Sequence, residues 1–416
     1  MNAVRNDVSP ADTSSLAGAT VTVLTPPGRG AVASLAIAGP GAADHVSAHF
    51  EPLAKAPGEH ADLAQLPEAT APRHYTAELV VDRIVVGYWR SPVGREQVVI
   101  ARRASDCFEV HCHGGRAAVE AIVESLVQAG ARQQDWQAWI AAREADPLVA
   151  AAQRLLADAP TLRTAGILLD QVHGALSRAI ADARSLIARR EGAAAFELLQ
   201  SLLATVMLGE HLISPWLVVL AGPPNAGKSS LINALVGYER AIVARLPGTT
   251  RDVLTARTAI DGWPVELADT AGLSSSSDPL EQAGVALARS QMTTADVVLW
   301  LMPCDGPPPP MIEMPASVAG RSILVRSKCD LLTGPQFTAT ELPTIATSAQ
   351  TGAGLPELMA AISRRLVPRP PLAGSGVLFA LDQRLACVRA LGALDRGEWA
   401  EADRVLAVLG QQPTAA

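Results

Sequence analysis

Apolar and polar positions change their period several times along the chain. From Ala19 to about Gly130, the short β-like runs ATVTVLT, AVASLAIAG, AELVVDRIVVGYW and EQVVIARR lead into RAAVEAIVESLVQAG at 116–130, which carries a helical stripe. This pattern predicts a small α+β domain over 19–130, behind a loose tail over 1–18. From Asp135 to about Leu212 the sequence turns to long Ala, Leu, Arg and Glu periodicity, as in LRTAGILLDQVHGALSRAIADARSLIARR. A helical domain is expected there, over 131–214. WLVVLAG then opens at Trp216, and strand-like segments alternate with helical ones to about Val367, the pattern of a mostly parallel α/β sheet over 215–367. VPRPPLAGSG breaks this pattern, because proline lacks an amide donor and restricts its neighbour, so 368–376 reads as a linker. Two striped segments in the tail, FALDQRLACVRALGAL and EWAEADRVLAVLG, are expected to pack back on the middle helices over 377–412. The fold class expected is therefore multidomain: a small α+β domain, then a helical domain into which an α/β domain is inserted.

Composition sharpens this picture in three places. Aromatic residues are 4% of a chain that is 49% apolar, so the cores are expected to be filled by Ala, Leu and Val. The formal net charge of -7 argues against a broadly basic protein that coats nucleic acid. Among 34 basic residues only Lys55, Lys228 and Lys328 are lysine, so a lysine inside a motif stands out. The start, MNAVRNDVSPADTSS, has no apolar secretory segment, and no stretch approaches about 18 near-continuous apolar residues, so a cytoplasmic chain without integral membrane contact is expected. The five cysteines lack paired metal spacing and are expected to be reduced thiols. His111 and His113 would share one face of a strand with Cys112 opposite, so no zinc is expected around Cys107.

The chemistry is concentrated after Trp216. Gly222-Pro-Pro-Asn225-Ala226-Gly227-Lys228-Ser229 fits GxxxxGK[ST] between a strand and the helical SLINALVG. Its glycines let backbone amides approach phosphates, Lys228 can reach the β and γ phosphates, Ser229 can ligate Mg2+, and Ser230 follows in the same turn. WPVELAD ends in Asp269-Thr-Ala-Gly272, where Asp269 can hold Mg2+ through water and the Gly272 amide can meet the γ phosphate. Two later strand ends deliver Ser327-Lys328-Cys329-Asp330 and Ser348-Ala349. Alone, the first of these is an ordinary turn; in this order both read as base-recognition loops. Asp330 can accept two hydrogen bonds from guanine N1 and its 2-amino group, a donor pair adenine lacks, so GTP and GDP are the expected nucleotides. Thr250, with Thr249 beside it in PGTTRD, can complete the Mg2+ shell when the γ phosphate is present.

With TPPGRG at 25–30, EVHCHGG at 109–115, AIVARLPGTTRDVL at 241–254, ADTAGL and Glu281 followed by Ala283-Gly284-Val285, the chain resembles the tRNA modification GTPase family. The resemblance implies an amino-terminal folate-binding and dimerising domain, a helical domain built from middle and terminal segments, and an inserted GTPase domain. It also implies a homodimer that works with a flavin-dependent partner on the wobble uridine of certain tRNAs. In that family K+ replaces an arginine finger, held by the P-loop asparagine and by backbone carbonyls ahead of TTRD, which match Asn225 and Ala244, Leu246 and Thr249. Glu281 matches a glutamate that orients the attacking water through a second water. The catalytic set implied is Glu281, Lys228, Asn225 and Gly272. Leu273, not glutamine, follows DTAG, so a Ras-like water-positioning residue is missing at that station.

The chain also departs from the family. Ser274 stands where a positive residue is frequent, which predicts altered coupling to a partner. Glu109 matches the glutamate of the folate pocket, but Ala36 stands where an arginine is expected, so a 5-formyltetrahydrofolate-like ligand would have fewer anchors. The sequence given ends LGQQPTAA where the family carries Cys-x-Gly-Lys, and Cys387, inside RLACVRAL, reads as a buried side chain. Three readings follow from these features: a GTPase of tRNA modification, a diverged GTP-dependent regulatory or assembly switch without that chemistry, and a scaffold that binds nucleotide without turnover. The intact Lys228, Ser229, Thr250, Asp269 and Asp330 set disfavours the last.

Overall fold

The computed structural model describes residues 18–26, 28, 30–53, 80–238, 255–269, 292–304, 316–331 and 344–411. They divide into two compact units, one ending at Arg143 and one starting at Glu144.

The first unit is built on a seven-stranded sheet: β1 (Thr20–Val23), β2 (Val32–Ala38), β3 (Phe50–Pro52), β4 (Ile84–Ser91), β5 (Gly94–Ala104), β6 (Cys107–His113) and β7 (Arg132–Gln134), in the order β3-β4-β5-β6-β2-β1-β7. Only the β1–β7 pair is parallel. Alternation along β6 sends Phe108, Val110 and Cys112 into the core and leaves His113 outside. Helix Arg116–Gln128 closes the core with Ile122 and Leu126, and its Ser125 Oγ accepts a 2.9 Å hydrogen bond from Trp89 Nε1. Two motifs far apart in sequence meet here. A Cβ on Gly114 would lie 2.0 Å from Gly30 O, so only glycine lets the two loops touch.

Two expectations change in this unit. β4 starts at Ile84, because Asp82 at φ 62 interrupts the apolar run that seemed to begin upstream. The boundary expected at 130 falls short of β7 and of helix Trp136–Arg143, which belong to this unit. Arg-Gln-Gln has no apolar signal of its own and becomes a strand by pairing with β1.

The second unit starts with helices Pro147–Leu156, Leu162–Val172, Ala175–Ala188, Gly192–Leu203 and Val206–Glu210. Asp146 caps the first by accepting from Leu148 N at 2.9 Å, ahead of a proline in the first turn. Helix Leu381–Asp395 packs on Gly192–Leu203, and Trp399–Ala407 packs on Ala175–Ala188. Arg184 reinforces the latter contact, with Nε donating to Asp403 Oδ1 at 2.7 Å and Nη2 to Oδ2 at 3.3 Å. Cys387 is fully buried in this core, as its pattern predicted, and burial pushes its thiol up to about 12.

One stretch is more membrane-like than the sequence reading allowed. Gly192–Glu210 is long and apolar enough to cross a membrane by length and composition. It carries the Ala and Leu expected of a core helix, and Ala195, Leu199, Leu202 and Leu208 are buried in the bundle.

The segment expected to be a linker is instead tied down. Gly374 N donates to Asp170 Oδ2 at 2.8 Å. Gln171, itself buried, donates through Nε2 to Ser375 O at 3.0 Å and accepts at Oε1 from Val377 N at 3.1 Å. Gln171→Leu leaves both backbone groups unpaired, and at about 1–3 kcal/mol each the variant is expected to lose about 2–6 kcal/mol of stability. Urea denaturation followed by circular dichroism measures this. A midpoint unchanged from the parent would show that the clamp contributes nothing.

A six-stranded sheet completes the unit: β8 (Trp216–Ala221), β9 (Thr255–Ile260), β10 (Trp263–Asp269), β11 (Val297–Pro303), β12 (Ser322–Ser327) and β13 (Thr344–Ala346), in the order β13-β12-β11-β8-β10-β9. All neighbours are parallel except β9 and β10. One buried cluster joins Val218, Leu220 and Leu267 of the sheet to Leu168, Leu199 and Cys387 of the helices. The opposite face buries Val219, Val298 and Trp300.

Candidate functional site

In a parallel sheet, ligands bind beyond the carboxyl ends of the strands, and here four such ends converge. β8 runs into the loop Gly222–Gly227, which ends in helix Lys228–Tyr238. The loop needs unusual backbone. Gly222 has φ 145, and a Cβ there would lie 2.5 Å from Leu301 O. Asn225, exposed at the tip, adopts φ 60, and Gly227 φ 88.

Lys228 is buried, and its Nζ donates to Gly222 O at 3.3 Å and Pro223 O at 3.2 Å. Its ammonium thus bridges carbonyls of its own loop. Burial lowers its pKa, and the negative charge of Asp269 partly opposes that shift. Any anion seated on the loop would favour the charged form further.

Ser229 and Asp269 face each other across the start of the helix and the end of β10. Ser229 Oγ donates to Asp269 Oδ2 at 2.6 Å. Asp269 Oδ1 is buried with no hydrogen-bond partner among the described residues. A hydroxyl and a carboxylate with a spare buried oxygen are the hard donors that Mg2+ takes. The residues therefore fit a divalent cation beside the phosphate loop.

The strand ends of β12 and β13 build a cleft of about 260 Å³, lined by Gly227, Ser230, Ser327, Lys328, Asp330 and Ala349 among others. Ser327 is buried and donates through Oγ to Ala226 O at 2.6 Å, which fastens this loop to the phosphate loop. Lys328, at φ 60, lays its stem near Gly227: a Cβ there would sit 3.9 Å from Lys328 Cγ. Ser348, also buried, donates through Oγ to Asp330 Oδ1 at 2.5 Å, so the exposed carboxylate is aimed from below. Thr347 and Gln350 also line the cleft, which the sequence reading passed over; their signal was adjacency to Ser348-Ala349.

The structure thus brings together Gly222, Asn225, Ala226, Gly227, Lys228, Ser229, Ser230, Asp269, Ser327, Lys328, Asp330, Ser348 and Ala349 around one strand-end surface. Ala244, Leu246, Thr249, Thr250, Gly272, Leu273, Ser274 and Glu281 lie outside the described residues.

Glu109, in the first unit, is engaged by an arginine: Arg103 Nε and Nη2 donate to its Oε2 at 2.9 and 2.8 Å. His111 Nδ1 lies 2.8 Å from Ser34 Oγ, and His113 pairs with Glu96. Ala36 is buried opposite Glu109 in the β2–β6 register.

Comparison with known proteins agrees with this layout. A family model described as the GTP-binding protein TrmE N-terminus matches residues 19–136, and one of 50S ribosome-binding GTPases matches 217–325. The tRNA modification GTPase MnmE of Chlamydia abortus is 30% identical over 405 residues, covering 87% of this chain and 84% of that protein. The protein of that name from Koribacter versatilis is 30% identical over 415 residues, covering 90% and 87%. Among solved structures, the G domain of the T. maritima FeoB iron transporter is 26% identical, covering 36% of this chain and 98% of that one with a TM-score of 0.25.

Proposed function

The chain belongs to the tRNA modification GTPase family, and from that premise we propose that it hydrolyses GTP to GDP and phosphate in the modification of tRNA wobble uridines. The observation that carries the GTPase reading is the single surface on which Lys228, the Ser229–Asp269 pair and the Asp330–Ser348 cleft meet. In this reading residues 215–367 form a GTPase domain inserted between the two halves of a helical domain. The packing of Leu381–Asp395 and Trp399–Ala407 on the middle helices supports that.

Phosphoryl transfer to water asks the protein for position and charge rather than covalent chemistry. The amides of the phosphate loop and the start of helix Lys228–Tyr238 hold the phosphates, and Lys228 turns from its loop carbonyls towards them. Ser229 and Asp269 would hold Mg2+, which would supply positive charge to offset that of the phosphates. Asp330 reads guanine, with Ser348 fixing its carboxylate. Thr250 would close on the metal, the Gly272 amide would meet the γ phosphate, and Glu281 would orient water.

The hairpin β9–β10 lies in sequence between Thr250 and Gly272. Its turn is held from two sides, by Thr161 and Arg163 at the start of helix Leu162–Val172 and by Ser363 of helix Leu355–Leu366, which belongs to 215–367. Thr161 Oγ1 donates to Gly262 O at 2.6 Å, Ser363 Oγ donates to Asp261 Oδ2 at 2.7 Å, and Arg163 Nη1 lies 2.8 Å from the same carboxylate oxygen. Burial would raise the Asp261 pKa, but Ser363 and Arg163 hold it below the ordinary value. The Thr161 and Arg163 contacts support a helical domain that moves with the nucleotide state. Family membership further supports a homodimer acting with a flavin-dependent partner and tRNA. Glu109 is already paired with Arg103, so no step through folate enters the reading.

Asn225 and the carbonyls of Ala244, Leu246 and Thr249 would hold K+ in place of an arginine finger. Purified protein with Mg2+ is expected to release phosphate from GTP but not from ATP, and faster in K+ than in Na+ at equal ionic strength. Equal rates in the two salts would remove the K+ step. Equal use of ATP would remove the guanine assignment.

A further inference from the structure

We propose that Cys304 and Cys329 are a reversible redox pair whose disulfide detunes the guanine-recognition loop. The inference rests on the guanine-nucleotide reading of the cleft. β11 ends at Pro303 opposite Ser327 of β12, and Cys304, the next residue, donates its amide to Ser327 O at 2.9 Å. Two residues beyond Ser327, Cys329 opens the turn Cys329–Leu331 and donates its amide to Thr347 O at 3.1 Å. This geometry sets the two sulfurs 3.1 Å apart. Both residues are half-buried, whereas Cys107, Cys112 and Cys387 are buried. A disulfide bond is about 2.05 Å long, so closing the pair takes about 1 Å of approach.

The position of the pair gives the bond its consequence. Cys329 lies between Lys328 and Asp330, both lining the cleft. Its Sγ–H reaches Arg326 O at 3.2 Å, and Asp330 is held by Ser348. Bonding to Cys304 takes the sulfur off Arg326 O and draws the turn towards β11. The Asp330 carboxylate then loses its alignment on Ser348, and guanine loses the acceptor it needs.

The oxidant is a low-molecular-weight disulfide such as oxidised glutathione. The Cys304 thiolate attacks one of its sulfurs, the reagent's S–S bond breaks and one thiol leaves. The Cys329 thiolate then attacks Cys304 Sγ and expels the second thiol. Two protein thiols are oxidised, one reagent disulfide is reduced to two thiols, and the protons of the protein thiols end on those products. Burial first, and then the adjacent Cys304, push the Cys329 thiol up to about 11. Capping Cys304 removes the second cause and helps the closing step. In a reducing cytoplasm the open dithiol is the resting state.

The test treats the full-length protein with oxidised glutathione, then splits it between non-reducing peptide mass analysis and titration with a fluorescent GDP analogue. The expected results are a cross-linked peptide pair containing Cys304 and Cys329, two hydrogens lighter than the separate peptides, and about tenfold weaker GDP binding, the scale of one lost hydrogen bond to a charged group. Dithiothreitol restores the affinity, and Cys304→Ser binds GDP as the reduced parent does and does not respond to the reagent. A missing cross-link, an affinity unchanged by it, or a Cys304→Ser protein that responds like the parent overturns the redox pair alone. Reduced protein that does not bind GDP overturns the site reading, and the inference with it.

Discussion

Asp330→Asn is expected to weaken GTP binding by about 10²- to 10⁴-fold, since two hydrogen bonds to a charged acceptor are lost at about 1.5–3 kcal/mol each and compensation is partial. The carboxylate offers two acceptor oxygens on one edge, which meet guanine N1–H and the 2-amino group. Asparagine keeps one oxygen and sets an NH2 donor against a guanine donor. Ser348 Oγ donates to Asp330 Oδ1, so the asparagine oxygen is drawn to the serine and its NH2 faces the base. The same reasoning predicts a gain. Xanthine carries a carbonyl where guanine has its amino group, so the variant binds xanthosine triphosphate in preference to GTP. Equilibrium titration with both nucleotides checks this, and a variant that keeps the parent's preference would show that Asp330 does not read the base.

Lys228→Ala is expected to slow GTP hydrolysis by about 10²- to 10³-fold, the usual loss when one preorganised charge stabiliser is removed from a transition state. The ammonium is buried, which lowers its pKa, and two carbonyls of its own loop hold it. Alanine also removes the ammonium that the bound phosphates would meet, so nucleotide affinity falls as well as the rate. Single-turnover phosphate release at saturating nucleotide separates the two effects. A rate constant within about threefold of the parent would place the charge compensation elsewhere. Only three lysines occur in 416 residues, and of the two among the described residues the other, Lys328, serves the base cleft.

The stations of this site were legible because each needs a residue type at a fixed place relative to a strand. Gly222 needs φ 145 and close contact with Leu301 O, Lys228 and Ser229 must open a helix, and Asp269 must end a strand. Such constraints are local and survive in sequence. What escaped the sequence depends on distant partners. Arg132–Gln134 is a strand because β1 pairs with it, and the segment after Leu372 is held because Gln171, some two hundred positions away, aims both ends of its amide at it. Ser327 gave no sign that it would tie the base loop to the phosphate loop through Ala226 O. Cys304 and Cys329 read as unrelated thiols until β11 and β12 set them side by side.

The central claim joins GTP turnover on this surface to the chemistry of tRNA. The most direct measurement replaces the chromosomal gene with the Lys228→Ala allele, beside a clean deletion and the parent, and analyses the wobble uridines of total tRNA by mass spectrometry. The account predicts modified uridines in the parent and their loss in both altered strains. Fully modified wobble uridines in the deletion strain would contradict it.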